Sequence, residues 1–312
     1  MSELRHEIKA VAKRTGLSPH VIRVWEKRYG VVKPVRTETN RRLYSDAEIE
    51  RLELLHHATR LGHNISQAAR LSVEKLRELV ATPTSPRASG PEAAESAQAD
   101  AKLVNECLGN VRDLDAPALD RALERGMVRL GHMGFLNRIA GPLCQRVGDL
   151  WRTGELTAAH EHFLSAALRT FLGQSARQFP QPESAPCLVV ATPAGQLHEL
   201  GAVMVAAAAS NLGWRVTYLG TSLPAAEIAG VATQNKARAV ALSLVYPEDD
   251  AGLGEELAKL RRYLSADIRI IAGGRAAEAY REALSRIGAL RMADLNGLMT
   301  TLDDLRKRNG HG

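Results

Sequence analysis

A chain of 312 residues exceeds one ordinary compact domain and predicts two or three, each burying its own core. The formal net charge is +6, and all of the excess is N-terminal: residues 1–80 carry 16 Lys and Arg against 10 Asp and Glu, the remainder 25 against 25. No stretch approaches the roughly 18 apolar residues of a membrane span, and Met1 to His6 lead into a charged helix rather than an apolar signal region, so the expected setting is the cytoplasm.

The cysteines agree with that setting. Cys107, Cys144 and Cys187 are far apart and form no C-x-x-C pair, which excludes a disulfide framework and a thiolate zinc site. The basic N-terminal segment fits a polyanionic partner, with a solubilising surface as the alternative.

Within residues 1–80, Ile8, Val11 and Ala12 mark one helical face, Gly16-Leu17 a tight turn, and Ser18-Pro19 the cap and first position of a second helix. Val21, Ile22 and Trp25 face inward from that helix. His20, Arg23, Lys27 and Arg28 occupy its other side, as donors for base edges and phosphates or as a solvated charged face. Lys33 to Ser45 reads as a short basic hairpin, a wing. Ser45 then caps a helix with Glu48 at the capping-box position, and helical patterns run over Asp46 to Leu61 and Ile65 to Val80.

Residues 81–100, rich in Pro, Ser, Ala and Gly, predict a flexible linker. Residues 101–180 show helical apolar spacing (Leu119, Leu123, Met127, Leu130; Phe163, Leu164, Ala167, Leu168, Phe171). Breaks near Asp115 to Pro117, Gly141-Pro142 and Arg152 to Glu155 divide this segment into a four-helix bundle. Pro180 and Pro182 mark a second joint. Residues 187–309 alternate five β-rich runs (Cys187 to Thr192, Arg215 to Leu219, Ala239 to Val245, Ile268 to Ala272, Leu290 to Ala293) with helical runs. That alternation predicts a doubly wound five-stranded parallel sheet, which binds ligands beyond the carboxyl ends of its strands. The expected fold class is therefore multidomain, α+β and α/β. His198 falls in the loop after the first of these strands, where it reads either as a surface residue or as a ligand-binding one.

VAKRTGLSPHVIRVWEKRYG followed by RRLYS resembles the MerR family of transcription factors over about seventy residues. The resemblance implies DNA contacts from Arg23, Arg28, Tyr29, Arg42 and Tyr44, with Trp25 and Leu43 in the core. The long dimerising helix usual in that family is missing from the pattern, so any dimer must be built by later segments.

The last segment resembles the cobalamin-binding domains of methionine synthase and corrinoid proteins. Gln196, His198 and Gly201 match an acid-x-His-x-x-Gly motif, Ser243 with Val245 a Ser-x-Leu motif, and Gly273-Gly274 the glycine pair. The resemblance makes His198 the lower axial ligand of cobalt and uses the small residues to admit the displaced nucleotide tail. Gln196 stands where the family has a carboxylate, so it can accept a bond from His198 only without charge, which implies a weaker ligand.

Trp151, nine residues, then Glu161-His162, flanked by Gly141-Pro142-Leu143 and Gly154-Glu155-Leu156, resembles light-responsive MerR regulators of the CarH type. In these a helical bundle caps the upper face of adenosylcobalamin. The resemblance implies a repressor on double-stranded operator DNA that assembles as a homo-oligomer, a tetramer with a dimer as the alternative, and is released by light. Trp151 and Glu161 would meet the adenosyl group, with His162 beside them. Arg152 replaces the histidine that commonly follows the tryptophan and cannot ligate cobalt, leaving His132, His160, His162 and Cys144 as substitutes. A light-independent cobalamin, redox or other ligand sensor of the same build is the first alternative. A corrinoid methyl carrier is the second.

Overall fold

The structure is a computed structural model that describes residues 5–17, 19–37, 40–60, 63, 65–81, 91–177, 181 and 184–307. The chain divides into two compact units, Met1–Ala167 with Arg177–Phe179, and Leu168–Ala176 with Pro180–Gly312.

The first unit opens with β1 (Arg5–Glu7), α1 (Ile8–Thr15) and α2 (Pro19–Tyr29). Gly16 ends α1 in the left-handed region at φ 71°, its amide returning to Ala12 O, as a C-terminal glycine cap requires. Ser18, the expected cap of α2, lies outside the described residues. The wing is β2 (Val35–Arg36) and β3 (Arg42–Ser45), paired antiparallel in the order β1-β3-β2. α3 (Asp46–Arg60) starts on the expected capping box: Glu48 N–H donates to Ser45 Oγ (3.3 Å) and Ser45 N–H donates to Glu48 Oε2 (2.9 Å). With α4 (Ile65–Ala68) and α5 (Val73–Ala81) these elements enclose a core of Val11, Ile22, Trp25, Ile49, Leu52 and Leu76.

The next helix, α6 (Pro91–Arg112), begins well inside the segment whose composition predicts a linker. The run after Pro91 is rich in Ala, Glu and Gln, all strong helix formers. Asp100 within it is buried and takes Arg129 and Arg138, so α6 gains a tertiary anchor that composition does not reveal. Asp115 caps α7 (Ala116–Phe135) by accepting the Ala118 amide at 2.9 Å. A π-helical turn (Leu136–Ala140) leads straight into α8 (Gly141–Arg152), so the break expected at Gly141-Pro142 is a change of helical pitch; α9 (Ala158–Arg177) follows.

α7 is kinked at Gly131, whose φ 68° and ψ 177° only glycine adopts readily. A Cβ there would meet buried Thr59 of α3 at 3.0 Å. One turn earlier, Val128 O accepts the indole N–H of fully buried Trp25 at 3.2 Å. The DNA-binding module is thus packed against the bundle at the kink.

The second unit runs β4 (Cys187–Ala191), α10 (Leu200–Asn211), β5 (Arg215–Tyr218), α11 (Ala225–Gln234), β6 (Ala239–Ser243), α12 (Leu253–Tyr263), β7 (Arg269–Gly273), α13 (Arg281–Arg286), β8 (Leu290–Met292) and α14 (Leu295–Lys307). The sheet is parallel, ordered β5-β4-β6-β7-β8. α11, α12 and α13 cover one face, α10 and α14 the other. β4 and β6 are buried throughout, which is why they read as continuous apolar runs. Strand order reverses between β4 and β6, and the loops that follow them flank the crevice where such sheets take ligands.

Candidate functional site

The loop after β4 is wound tightly on itself. Gln196 N–H donates to Pro193 O (3.0 Å), and the buried Thr192 hydroxyl donates to Gln196 O while accepting the Ser222 amide (2.9 Å). His198 emerges half-buried at the rim, its ring edge-on to Tyr246 with centroids 6.1 Å apart. The Gln196 carboxamide is buried and turned to the other loop. Its Oε1 accepts the amides of Val245 (2.8 Å) and Tyr246 (3.1 Å), and its Nε2 donates to Pro247 O (3.1 Å).

Beside the histidine, Glu199 accepts the Tyr218 hydroxyl at 2.7 Å and Arg169 at 3.0 Å. Burial, then the bond to Glu199, push the Tyr218 phenol well above its ordinary range, so it stays a donor. Glu199, Tyr218 and Arg169 had no motif to reveal them; the one available signal was a carboxylate adjoining the loop histidine.

Ser243 closes β6 with a buried hydroxyl that has no hydrogen-bond partner among the described residues. It points into the notch left by Gly201, where a Cβ would stand 2.5 Å from Oγ. Gly273 pairs with Ser243 in the next strand, and Gly274 turns the chain at φ 103° against Leu244. A rim imidazole and a buried hydroxyl fit a cobalamin, one nitrogen for the metal and one polar handle, while the glycines allow the close approach of Ser243 Oγ to Gly201 and of Leu244 O to Gly274. Among the described residues no group of three or more His, Cys, Asp or Glu is placed to hold a metal ion. Gly201→Ala is expected to destabilise the second unit by about 1–3 kcal/mol through overpacking, and adding Ser243→Ala should restore most of it. Urea melts of the single and double variants check this.

In the first unit, Trp151 ends α8 half-buried and Glu161 lies on the first turn of α9 with its side chain 13 % exposed. Glu161 accepts the Ser165 hydroxyl (3.1 Å) and pairs with His162 Nδ1 (3.3 Å), while His162 itself is largely exposed. Burial, followed by the Glu161 charge, pushes the Cys144 thiol up to about 12, which keeps it protonated and a poor metal ligand. His160 Nδ1 caps α9 by accepting the Thr157 amide (3.2 Å), and Arg152 pairs locally with Asp149.

On the basic module, Arg23, Lys27 and Arg28 are exposed along α2, and Arg28 lies over the Tyr29 ring at 5.7 Å. Tyr29 is half-buried, and burial raises its phenol against the opposing charges of Arg28 and Arg129. Arg42 grips Glu26 through Nε (2.8 and 3.0 Å). Tyr44 departs from the expected DNA contact: it is fully buried, its hydroxyl toward Glu26 Oε2 at 3.4 Å, because its ring fills the wing-to-helix core. Glu26, unnoticed in the sequence, organises both wing residues.

The family profile of MerR HTH regulatory proteins matches residues 7–74, and B12-binding domain profiles match residues 103–174 and 186–293. The chain is 28 % identical to the HTH-type transcriptional repressor CarH of Myxococcus xanthus, over 92 % of this chain and 94 % of that one. It is 29 % identical to the repressor CarA of the same organism, over 90 % and 91 %. Identity to the HTH-type transcriptional regulator ZntR of Escherichia coli is 30 %, over 38 % of this chain and 77 % of that one. The monomethylamine corrinoid protein of Methanosarcina barkeri shares the fold of 66 % of this chain and 99 % of its own (TM-score 0.52, 13 % identity). Among the described residues no helix is long and apolar enough to cross a membrane. The chain belongs to the MerR family of helix-turn-helix regulatory proteins and joins that module to B12-binding domains, as a cobalamin-binding transcriptional regulator.

Proposed function

We propose that this regulator is a repressor whose hold on operator DNA is set by adenosylcobalamin and released by light. Residues 1–80 supply the DNA-binding module, 101–180 the cobalamin cap, and 187–309 the cobalamin-binding sheet. The observation that carries the reading is the strand-order switch of the second unit, where His198 lies in the loop after β4 and the buried Ser243 hydroxyl ends β6. Likeness to two named repressors over about nine-tenths of the chain supports the regulatory half.

In this reading His198 would offer its imidazole to cobalt, while Gly201, Ser243, Val245, Gly273 and Gly274 would border the nucleotide tail. Trp151 gives an aromatic face to the adenosyl group, Glu161 a carboxylate acceptor for its hydroxyls, and His162 flanks them. Bound adenosylcobalamin supplies a cobalt–carbon bond that visible light breaks. Arg23, Arg28, Tyr29 and Arg42 meet the operator, Arg42 after exchanging Glu26 for phosphate. One module makes few phosphate contacts and binds weakly, so repression rests on several copies brought together in a dimer or tetramer, where linked modules gain effective concentration.

The test is the visible spectrum and the sedimentation of the protein with adenosylcobalamin, in the dark and after green light. A light-induced spectral change with loss of the oligomer is expected. A photolysed cofactor on an unchanged oligomer would favour the light-independent sensor, which Arg152 supports by standing where a histidine commonly follows the tryptophan. A methyl carrier accounts for the sheet and leaves the winged helix unused.

A further inference from the structure

Gln196 is where this chain departs from the acid of its family pattern, and its contacts say what the amide does. Both lone pairs of Oε1 are taken by consecutive backbone amides, Val245 and Tyr246, and Nε2 donates to the carbonyl of the next residue, Pro247. One buried side chain therefore holds three successive residues of the loop after β6. Pro247 O also accepts the Tyr280 hydroxyl (3.0 Å), which in turn accepts the Asp250 amide (2.8 Å), so the loop is pinned from both sides. The middle residue of the clamped stretch, Tyr246, sets its ring against His198.

A carboxylate cannot repeat this arrangement. It would accept the two amides, but its second oxygen would face the Pro247 carbonyl with no proton to offer, inside a pocket where Gln196 is 1 % exposed. Of the amide and the ionised carboxylate, only the amide has both the acceptor and the donor that the three backbone groups require.

We propose that Gln196 is a positioning residue for His198 that acts through the 245–247 loop and Tyr246, so that restoring the family's acid weakens the bond from His198 to cobalt. The spectroscopic half of this proposal rests on His198 being the cobalt ligand; the loop clamp does not. Gln196→Glu removes the donor, Gln196→Leu removes donor and acceptor while keeping bulk, and Tyr280→Phe removes the second bond to Pro247 O and the acceptor of the Asp250 amide while leaving all three Gln196 bonds in place.

Two readouts on the full chain test it. In the cobalamin-free protein at pH 8, amide hydrogen exchange of Val245 and Tyr246 is expected to quicken about tenfold in Gln196→Glu and Gln196→Leu, and by less in Tyr280→Phe. With cob(II)alamin and ¹⁵N-histidine-labelled protein, the nitrogen splitting of the cobalt paramagnetic signal reports histidine ligation. It is expected to fade in the same order, with about tenfold weaker cobalamin binding in Gln196→Glu. Unchanged loop exchange in Gln196→Glu would overturn the clamp, and an equal or stronger histidine signal in that variant would overturn the positioning role. A His198→Ala control that keeps the splitting would instead overturn the ligand assignment, leaving the exchange result to stand by itself.

Discussion

Gly274→Ala is expected to cost the sheet-bearing unit about 3 kcal/mol or more, enough to lower its melting temperature by roughly 10 °C or to abolish soluble expression. Two independent effects add. Gly274 sits at φ 103° and ψ 164°, a region closed to residues with a Cβ, and a Cβ there would overlap the main-chain oxygen of Leu244. That oxygen cannot rotate away, because it accepts the Ala276 amide at 3.0 Å and Leu244 N–H is bonded to Gly273 O at 2.8 Å. The adjoining Gly273→Ala provides the contrast, since its Cβ would meet Met292 O at 3.4 Å, an ordinary contact, without positive φ. That variant should lose less than about 1 kcal/mol. Chemical denaturation of the two proteins checks the difference. Similar losses in both would show that the pair is not divided between a bend and a spacer.

His198→Ala is expected to weaken cobalamin binding by about a hundredfold and to change the visible spectrum of what still binds. Loss of a residue that merely supports a metal ligand costs about 10- to 100-fold, so loss of the ligand itself belongs at the upper end. The fold should survive, because His198 lies half-buried on a loop that Thr192 and Gln196 hold through their own hydrogen bonds. Calorimetric titration with adenosylcobalamin, with circular dichroism to verify folding, separates loss of the ligand from loss of structure. Unchanged affinity with an unchanged spectrum would place the cobalt site elsewhere.

The sheet was legible because its middle strands are buried on both faces, so Cys187–Ala191 and Ala239–Ser243 are continuous apolar runs, and the helix after the wing because Ser45 and Glu48 form a local capping box. What stayed hidden was tertiary. Composition extended the expected linker through residue 100, whereas the chain is helical from Pro91 and residues 82–90 lie outside the described residues; nothing local tells that Asp100 will pair with Arg129 and Arg138. The docking of Trp25 on Val128 spans 103 positions, and the Gly131 kink lies in a run whose spacing is uniformly helical. At the rim, the motif located Gln196 and His198, but it assigned the amide a partner by family habit. The three backbone groups that engage it belong to a loop about fifty residues away. Tyr44 misled for a chemical reason: a tyrosine has both a ring that fills a core and a hydroxyl that meets phosphate, and its spacing cannot choose between them.

The central claim is that cobalamin sets the grip of the winged helix on DNA. Fluorescence anisotropy in the dark, with an operator duplex selected from a random library and with adenosylcobalamin present or absent, measures this directly. The account predicts an increase in affinity of at least tenfold with the cofactor, together with a steeper salt dependence as more modules engage phosphates. Equal affinity and equal salt dependence with and without cobalamin would contradict it.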